Sequence, residues 1–400
     1  MSTDDLSGRI LASDAVYEAQ PKYVRRDVNH NRQVKMDTHE LETKLASVKD
    51  LLEGRQLEAL LIQRVPNFAW ATCGASGYVN NASEESVASL LLTPTGRHLI
   101  TNNIEAPRLE RDEGLIAQGW EFHVSGWHEV SEAIENLSRG WRLGADSPHP
   151  GAVDLREAFP RLRMNLLPQE QARMRALGSL CAEAMDEAIR SVQPGMTEHE
   201  IAARLGAEAL RRGVLPIVNL VGSDGRISAF RHPLPTARIL EKYAMLVLCG
   251  RRNGLVCSVT RLIHFGRLPD DLRRRAEAVS EVDAAFIAAT RPGRRVSQAF
   301  QAGLGAYARV GFPEEWRLHH QGGPAGYEPR ELVATSITDD LVRIGQAYAW
   351  NPSITGAKSE DTIMVGPDGF ENLTVMGGWP MVEAEVDGQV ISRPAVLEAL

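Results

Sequence analysis

The sequence predicts an α/β protein, with an N-terminal α/β domain over residues 1–165 followed by a duplicated α+β domain over residues 166–400. Three observations carry this expectation. Helical periodicities alternate with short apolar strands up to about Leu166, the pattern of a layered α/β unit. From Gln169 onward a helix–helix–hairpin arrangement occurs twice, with Pro194-Gly195 and Pro292-Gly293 separated by 98 residues and Gly213 and Gly311 by the same 98. Two apolar runs, Ala244 to Cys249 and Leu255 to Ile263, flank Asn253-Gly254, a pair suited to the positive φ angles of a two-residue hairpin turn.

In chain order, residues 1–35 are polar and read as a lead-in arm. Asp37 to Gln56 places Leu41, Leu45, Val48 and Leu52 on one helical stripe. Ala59 to Ile62 is a short buried strand, and Asn67 to Tyr78 reads as a small-residue loop holding Trp70 and Tyr78. Val87 to Leu92 and His98 to Ile100 flank Thr93-Pro-Thr-Gly96 as a further hairpin. A long helix runs from Gln169 to about Val192. Thr197 with Glu200 caps the next, which stops at Gly213. The second unit repeats this from Asp271, and its hairpin spans Gln346 to Val365.

Composition narrows the function classes. The chain has 400 residues, 43% hydrophobic and 24% charged, as in a soluble globular protein. A net charge of -8 argues against a nucleic-acid surface. No apolar run approaches the roughly 18 residues of a membrane span. With no apolar signal segment at its start, a cytoplasmic protein is expected. Cys73, Cys181, Cys249 and Cys257 lack CxxC spacing and read as reduced thiols.

Register then selects a chemical face. Pairing Arg252 with Leu255 sets Cys249 opposite Ser258 and Val247 opposite Thr260, and opposed residues share one side of a sheet. Cys257 should face away. His232 stands just before this hairpin and before Pro233, which biases it toward an extended conformation.

The stretches PGMTEHEIA, NGLVCSVTR, HHQGGPAGYEPRE and WNPSITGAKSEDT, with His232, resemble the "pita-bread" superfamily of creatinase, prolidase, aminopeptidase P and methionine aminopeptidase. The likeness covers residues 166–400, and the preceding domain resembles the N-terminal domain of creatinase and prolidase. It implies a cleft faced by two hairpins. In the metallopeptidases of this superfamily, two Asp, one His and two Glu hold two divalent metals, the oxygen-rich donor set hard cations require. Here the first Asp falls on Cys249 or Val247, the second on Ser258, the histidine on His320 with His319 a rival, and the Glu pair on Asn351 and Glu360. Three of four carboxylates are gone, so neither metal nor other cofactor is expected. Creatinase resembles this state, being metal-free with an essential histidine that His232 matches. Its guanidinium-handling carboxylates fall on Thr260 and Asn351, and its substrate-gripping arginine on Gly323. The chain therefore reads as a metal-free relative of creatinase acting on another small molecule, as ectoine hydrolase also resembles this family.

The candidate catalytic residues are His232 as general acid–base, His320 with Glu360 as a water-orienting pair, and Cys249 as either a nucleophile, a single-metal ligand or an inert core thiol. His319 and His320 are adjacent, so on an extended segment they should point oppositely. Candidate substrate contacts are His319, Arg330, Asn351, Ser258, Thr260, Arg261, Tyr78 and Trp70. Arg330 lies 98 residues from His232, which brings it to the cleft by the internal repeat. The leading expectation is hydrolysis of an amide- or amidine-type C–N bond in a small polar molecule without metal. The alternatives are a metal-dependent Xaa-Pro dipeptidase or aminopeptidase and a non-catalytic binding protein. A homodimer is expected, with residues 67–83, including Trp70 and Tyr78, reaching the partner's cleft as the resemblance implies.

Overall fold

The computed structural model describes residues 38–399, so the lead-in arm expected over residues 1–35 lies outside the described residues. After the helix Thr38–Gly54, the strand Ala59–Arg64 enters the middle of a six-stranded sheet. On one side it pairs with Glu85–Thr93, which forms the expected hairpin with Gly96–Asn102; on the other it runs parallel to Leu143–Ala145. Ala59 to Ile62 are fully buried, as a central strand covered on both faces requires. The small-residue loop expected from Asn67 to Tyr78 begins instead as a buried helix, Val65–Ala71. Pro66 opens that helix at a position where a missing N–H is harmless. Trp70 accordingly lies in the core, 3% exposed and edge-on to Phe159, and is not available as a substrate contact.

The repeated half follows the expected plan. Helices Pro168–Arg190 and Glu198–Arg211 recur as Asp270–Ala289 and Val296–Arg309. Gly195, Gly213, Gly293 and Gly311 have φ of +92°, +68°, +83° and +87°, so the matched spacing reflects matched left-handed turns. Thr197 and Glu200 exchange the two hydrogen bonds of a capping box. The first hairpin, Tyr243–Arg252 with Leu255–Phe265, has the expected register: Arg252 opposite Leu255, Cys249 opposite Ser258, Val247 opposite Thr260. Its turn, with φ of +49° at Asn253 and +76° at Gly254, seats against the N-terminal part of the chain. A Cβ on Gly254 would stand 2.5 Å from that of Ala69. The second hairpin, Ala347–Trp350 with Asp361–Val365, lies in a separate four-stranded sheet. The two hairpins meet where Thr260 N–H donates to the Glu360 carbonyl at 3.1 Å and Ser258 N–H donates to Thr362 Oγ1 at 2.9 Å.

Residues before and after 165 share one apolar core, running from Leu60, Phe68 and Trp70 through Met174 and Leu177 to Leu246 and Val259. A buried polar knot adds to it. Lys44 contacts Glu40 and Glu170 at 2.8 Å each, and Tyr327 donates to Glu170 at 2.6 Å. Among the described residues no helix is long and apolar enough to cross a membrane.

Behind the second hairpin, Arg393 is fully buried between Asp283 at 2.6 Å and Asp361 at 2.8 Å, and Asp361 also receives Arg261 at 2.7 Å. This joins a helix, both hairpins and the strand Gln389–Pro394 through four alternating charges. Breaking a buried pair from one side leaves a charge uncompensated, which costs about 3–5 kcal/mol. Arg393→Met is therefore expected to lower unfolding stability by about that amount in urea titration; a change below about 1 kcal/mol would show that the network contributes little.

Candidate active site

The cleft face of the first hairpin carries Cys249, Ser258 and Thr260, and the second hairpin brings Glu360 over them. Glu360 is 2% exposed, and three donors converge on it. Lys358 Nζ reaches Oε2 at 2.8 Å, Arg330 Nη2 reaches Oε1 at 2.8 Å, and Thr260 Oγ1 donates to Oε2. Burial alone would raise this carboxyl's pKa. The Lys358 and Arg330 cations outweigh that and hold it well below the usual carboxylate range. Arg330 also donates to Ser258 Oγ at 3.3 Å, and Ser258 Oγ donates to Cys249 Sγ at 3.2 Å. The internal repeat thus does bring Arg330 to the cleft.

The histidines form a second group. His319 Nε2 lies 3.0 Å from His232 Nε2, and the His319 and His320 rings stack with centroids 4.4 Å apart. The His320 ring is also near His232, at 6.1 Å. Both neighbours therefore address His232, contrary to the expected opposite orientation. The reason is local: Glu315–Leu318 is a turn of 3-10 helix and the next strand starts only at Gly322, so no regular pleat separates their side chains. His319 Nδ1 is buried without a partner.

Partial dehydration lowers the pKa of all three imidazoles. Lys358 adds to this for His232; Lys358 and the other two rings add to it for His319, which falls to about 2. Arg330, His232 and Lys358 act on His320, which falls to about 4. Solvent reaches His232 and His320, which screens these charges, while His319 is half-buried. All three are therefore held in the neutral form at pH 7.

Several expected roles change. Glu360 makes no hydrogen bond to His320 and is clasped by Lys358 and Arg330 instead; the water-orienting pair is absent. Burial pushes the Cys249 thiol up to about 11, so it is protonated at neutral pH and is not an activated nucleophile. Arg261 points to the opposite side of the sheet, where it binds Asp361 and the Thr374 carbonyl, and is structural. Strand alternation requires this, since its neighbour Thr260 faces the cleft, and it rules out the expected substrate contact. Tyr78 stacks over Arg251 of its own chain at 4.1 Å. Asn351 adjoins the site, its N–H donating to the Gln321 carbonyl, with a buried side-chain oxygen that has no partner. Cys257 faces away among apolar residues, as expected. The residue missed from sequence is Lys358, whose short strand Ala357–Lys358 turns it inward to 7% exposure.

These residues do not fit a two-metal centre. The remaining carboxylate is already neutralised by two fixed cations, the thiol is protonated, and Ser258 and Asn351 are poor donors to hard ions. Two divalent ions beside Lys358 and Arg330 would meet uncompensated repulsion.

Residues 172–367 match the model of metallopeptidase family M24. Agropine synthesis cyclase of Rhizobium rhizogenes is 26% identical over 253 residues, 56% of this chain and 63% of that protein, so the match spans less than two thirds of this relative. An Xaa-Pro dipeptidase of Lactobacillus helveticus is 22% identical over 305 residues, covering 68% of this chain and 82% of the relative. The prolidase of Pyrococcus horikoshii OT3 superposes with a TM-score of 0.71 at 19% identity, over 84% of this chain and 98% of that one.

The depressed imidazoles give a pH test. Unfolded histidine titrates near 6.5, so below that value the unfolded chain binds protons that the folded one refuses. The stabilisation is complete above about pH 6.5 and is lost as pH falls toward about 4 for His320 and about 2 for His319. His319→Gln is expected to flatten the pH dependence of the urea midpoint between about pH 6.5 and 4; equal slopes in wild type and variant would contradict this assignment. With its repeated helix–helix–hairpin units, its two hairpins meeting over one cleft and the family match over residues 172–367, this part of the chain is a metallopeptidase family M24 domain with the pita-bread fold.

Proposed function

We propose that the protein is a metal-independent hydrolase of an amide- or amidine-type C–N bond in a small polar molecule. The observation that carries this reading is the clasp of Lys358 and Arg330 on Glu360, which sets fixed positive charge beside three neutral histidines. His232, free of its proton at neutral pH and open to the cleft, takes a proton from water as the water oxygen adds to the carbon. The ammonium and guanidinium groups face the negative charge that develops on the substrate heteroatom, as preorganised donors do in acyl transfer. His232 then returns the proton to the leaving nitrogen as the C–N bond breaks, so the proton balance closes on one residue. His319, bonded to His232, fixes its ring orientation. The same residues serve an internal nucleophile in place of water, which is ring closure, and one relative is named a cyclase.

A second reading has one specific observation behind it. The ring nitrogens of His232, His319 and His320 lie within 4.8 Å of one another, and neutral imidazoles are the form that binds a borderline ion such as zinc. Under that reading the chain is a peptidase with one metal, and Xaa-Pro peptides, named for two relatives, are the substrates to try.

Elemental analysis and chelation separate the two. The leading reading expects substoichiometric metal and activity unchanged by chelator. One tightly held ion per chain, lost with activity in His319→Ala, would replace it with the second. Lys358→Met is expected to lower kcat/KM by roughly 10²–10³, the scale of losing one preorganised donor. His232→Asn is expected to cost about 10²–10⁴, the range of general acid–base catalysis. Turnover surviving either change intact would remove that residue from the mechanism.

A further inference from the structure

The cavity beside Arg251 has no role in the chemistry above. It has a volume of about 260 Å³ and lies between the tip of the first hairpin and the N-terminal sheet, with Arg64, Tyr78, Glu84, Arg251 and Glu328 in its walls. Arg64 is paired with Glu84 at 3.5 Å. Arg251 makes no ion pair among the described residues, and its Nε and Nη2 are buried with no hydrogen-bond partner. Its guanidinium instead stacks on Tyr78, 4.1 Å from the ring centroid, which fixes the plane of the fork.

Leaving two buried guanidinium donors unpaired is costly in a folded protein. A planar fork held flat with a donor edge unused matches the geometry of a carboxylate, which accepts two parallel N–H bonds. Arg251 is two residues from Cys249 on the same face of its strand, so strand rise puts it roughly 7 Å along the cleft floor. The opposite wall leads back to the reacting groups, because Glu328 and Pro329 directly precede Arg330. We infer that Arg251, oriented by Tyr78, is a substrate-binding residue that holds a carboxylate in this cavity while the scissile bond lies at Lys358, Arg330 and His232. The Glu328 carboxylate in the same wall disfavours a dianion, so the ligand class is a monocarboxylate with an amide or cationic nitrogen close by. This deepens the hydrolase reading and rests on it for the identity of the ligand as substrate.

The test is a binding titration of the full-length protein with N-acetylglycine, Ala-Pro and 4-guanidinobutyrate, each beside its primary amide, read by calorimetry and thermal shift. At least one acid is expected to bind roughly ten- to hundredfold more tightly than its amide, the scale of a charge-assisted pair. Arg251→Gln should abolish that preference with its melting temperature otherwise kept, and Tyr78→Leu should weaken it. If Arg251→Gln does not fold, Arg251→Lys supplies the comparison, retaining charge but losing most of the preference along with the planar fork. His232→Asn should leave the preference intact. No acid preference in the wild type, or an undiminished one in the Arg251 variants, would overturn the inference. Failure of metal-free hydrolysis would appear in the chelator assay and leave this titration unaffected.

Discussion

The cleft depends on a two-sided junction between the hairpins. Thr260 and Arg261 are neighbours on one strand, and Glu360 and Asp361 are neighbours at the start of another. Strand alternation sends Thr260 and Glu360 to the cleft and Arg261 and Asp361 to the rear. Each acid is matched by cations on its own side: Lys358 and Arg330 in front, Arg261 and Arg393 behind. Neither acid is tolerable in so dry a place without its partners. The pairing therefore fixes the register between the two halves of the repeat and the positions of Thr260, Lys358 and Arg330 together.

That junction also explains why the cleft residues do not fit two metal ions. Diffusible ions and fixed side-chain cations solve the same electrostatic problem, neutralising a carboxylate at the bottom of a cleft. With Lys358 and Arg330 occupying that role, aspartates at positions 249 and 258 would add uncompensated charge, and a thiol beside a hydroxyl is the lower-energy filling. Burial is the first cause of the low basicity of the three histidines, and the Lys358 cation adds to it at each ring.

Much of the frame was legible because it rests on local rules. Asn253-Gly254 fixed the hairpin register, and paired glycines 98 residues apart marked the repeat, since both features are demanded by backbone conformation. What escaped depends on approach in space. Trp70 looked like a loop aromatic because the Pro-led helix containing it is a mere seven residues long and owes its helicity to burial. Lys358 carries no signal of its own in the sequence, yet the small hairpin Ser353–Ile354 with Ala357–Lys358 folds it under the cleft. The convergence of His319 and His320 follows from the irregular backbone between a 3-10 turn and a strand, for which the residues themselves carry no periodic signal.

The hairpin turn seated against Ala69 has a mechanical meaning. A paired strand is stiff along its length, so Tyr243–Arg252 acts as a strut with one end in the N-terminal layer and Cys249 on the cleft face near it. Gly254 sets the depth of that seat, because any side chain would jack the tip outward by about the width of a methyl group. A bulky residue at position 254 would therefore act at a distance, tilting Arg251 and Cys249 relative to the second hairpin without touching either. The spacing between Arg251 and the Lys358–Glu360–Arg330 cluster is thus gauged by the absence of one side chain.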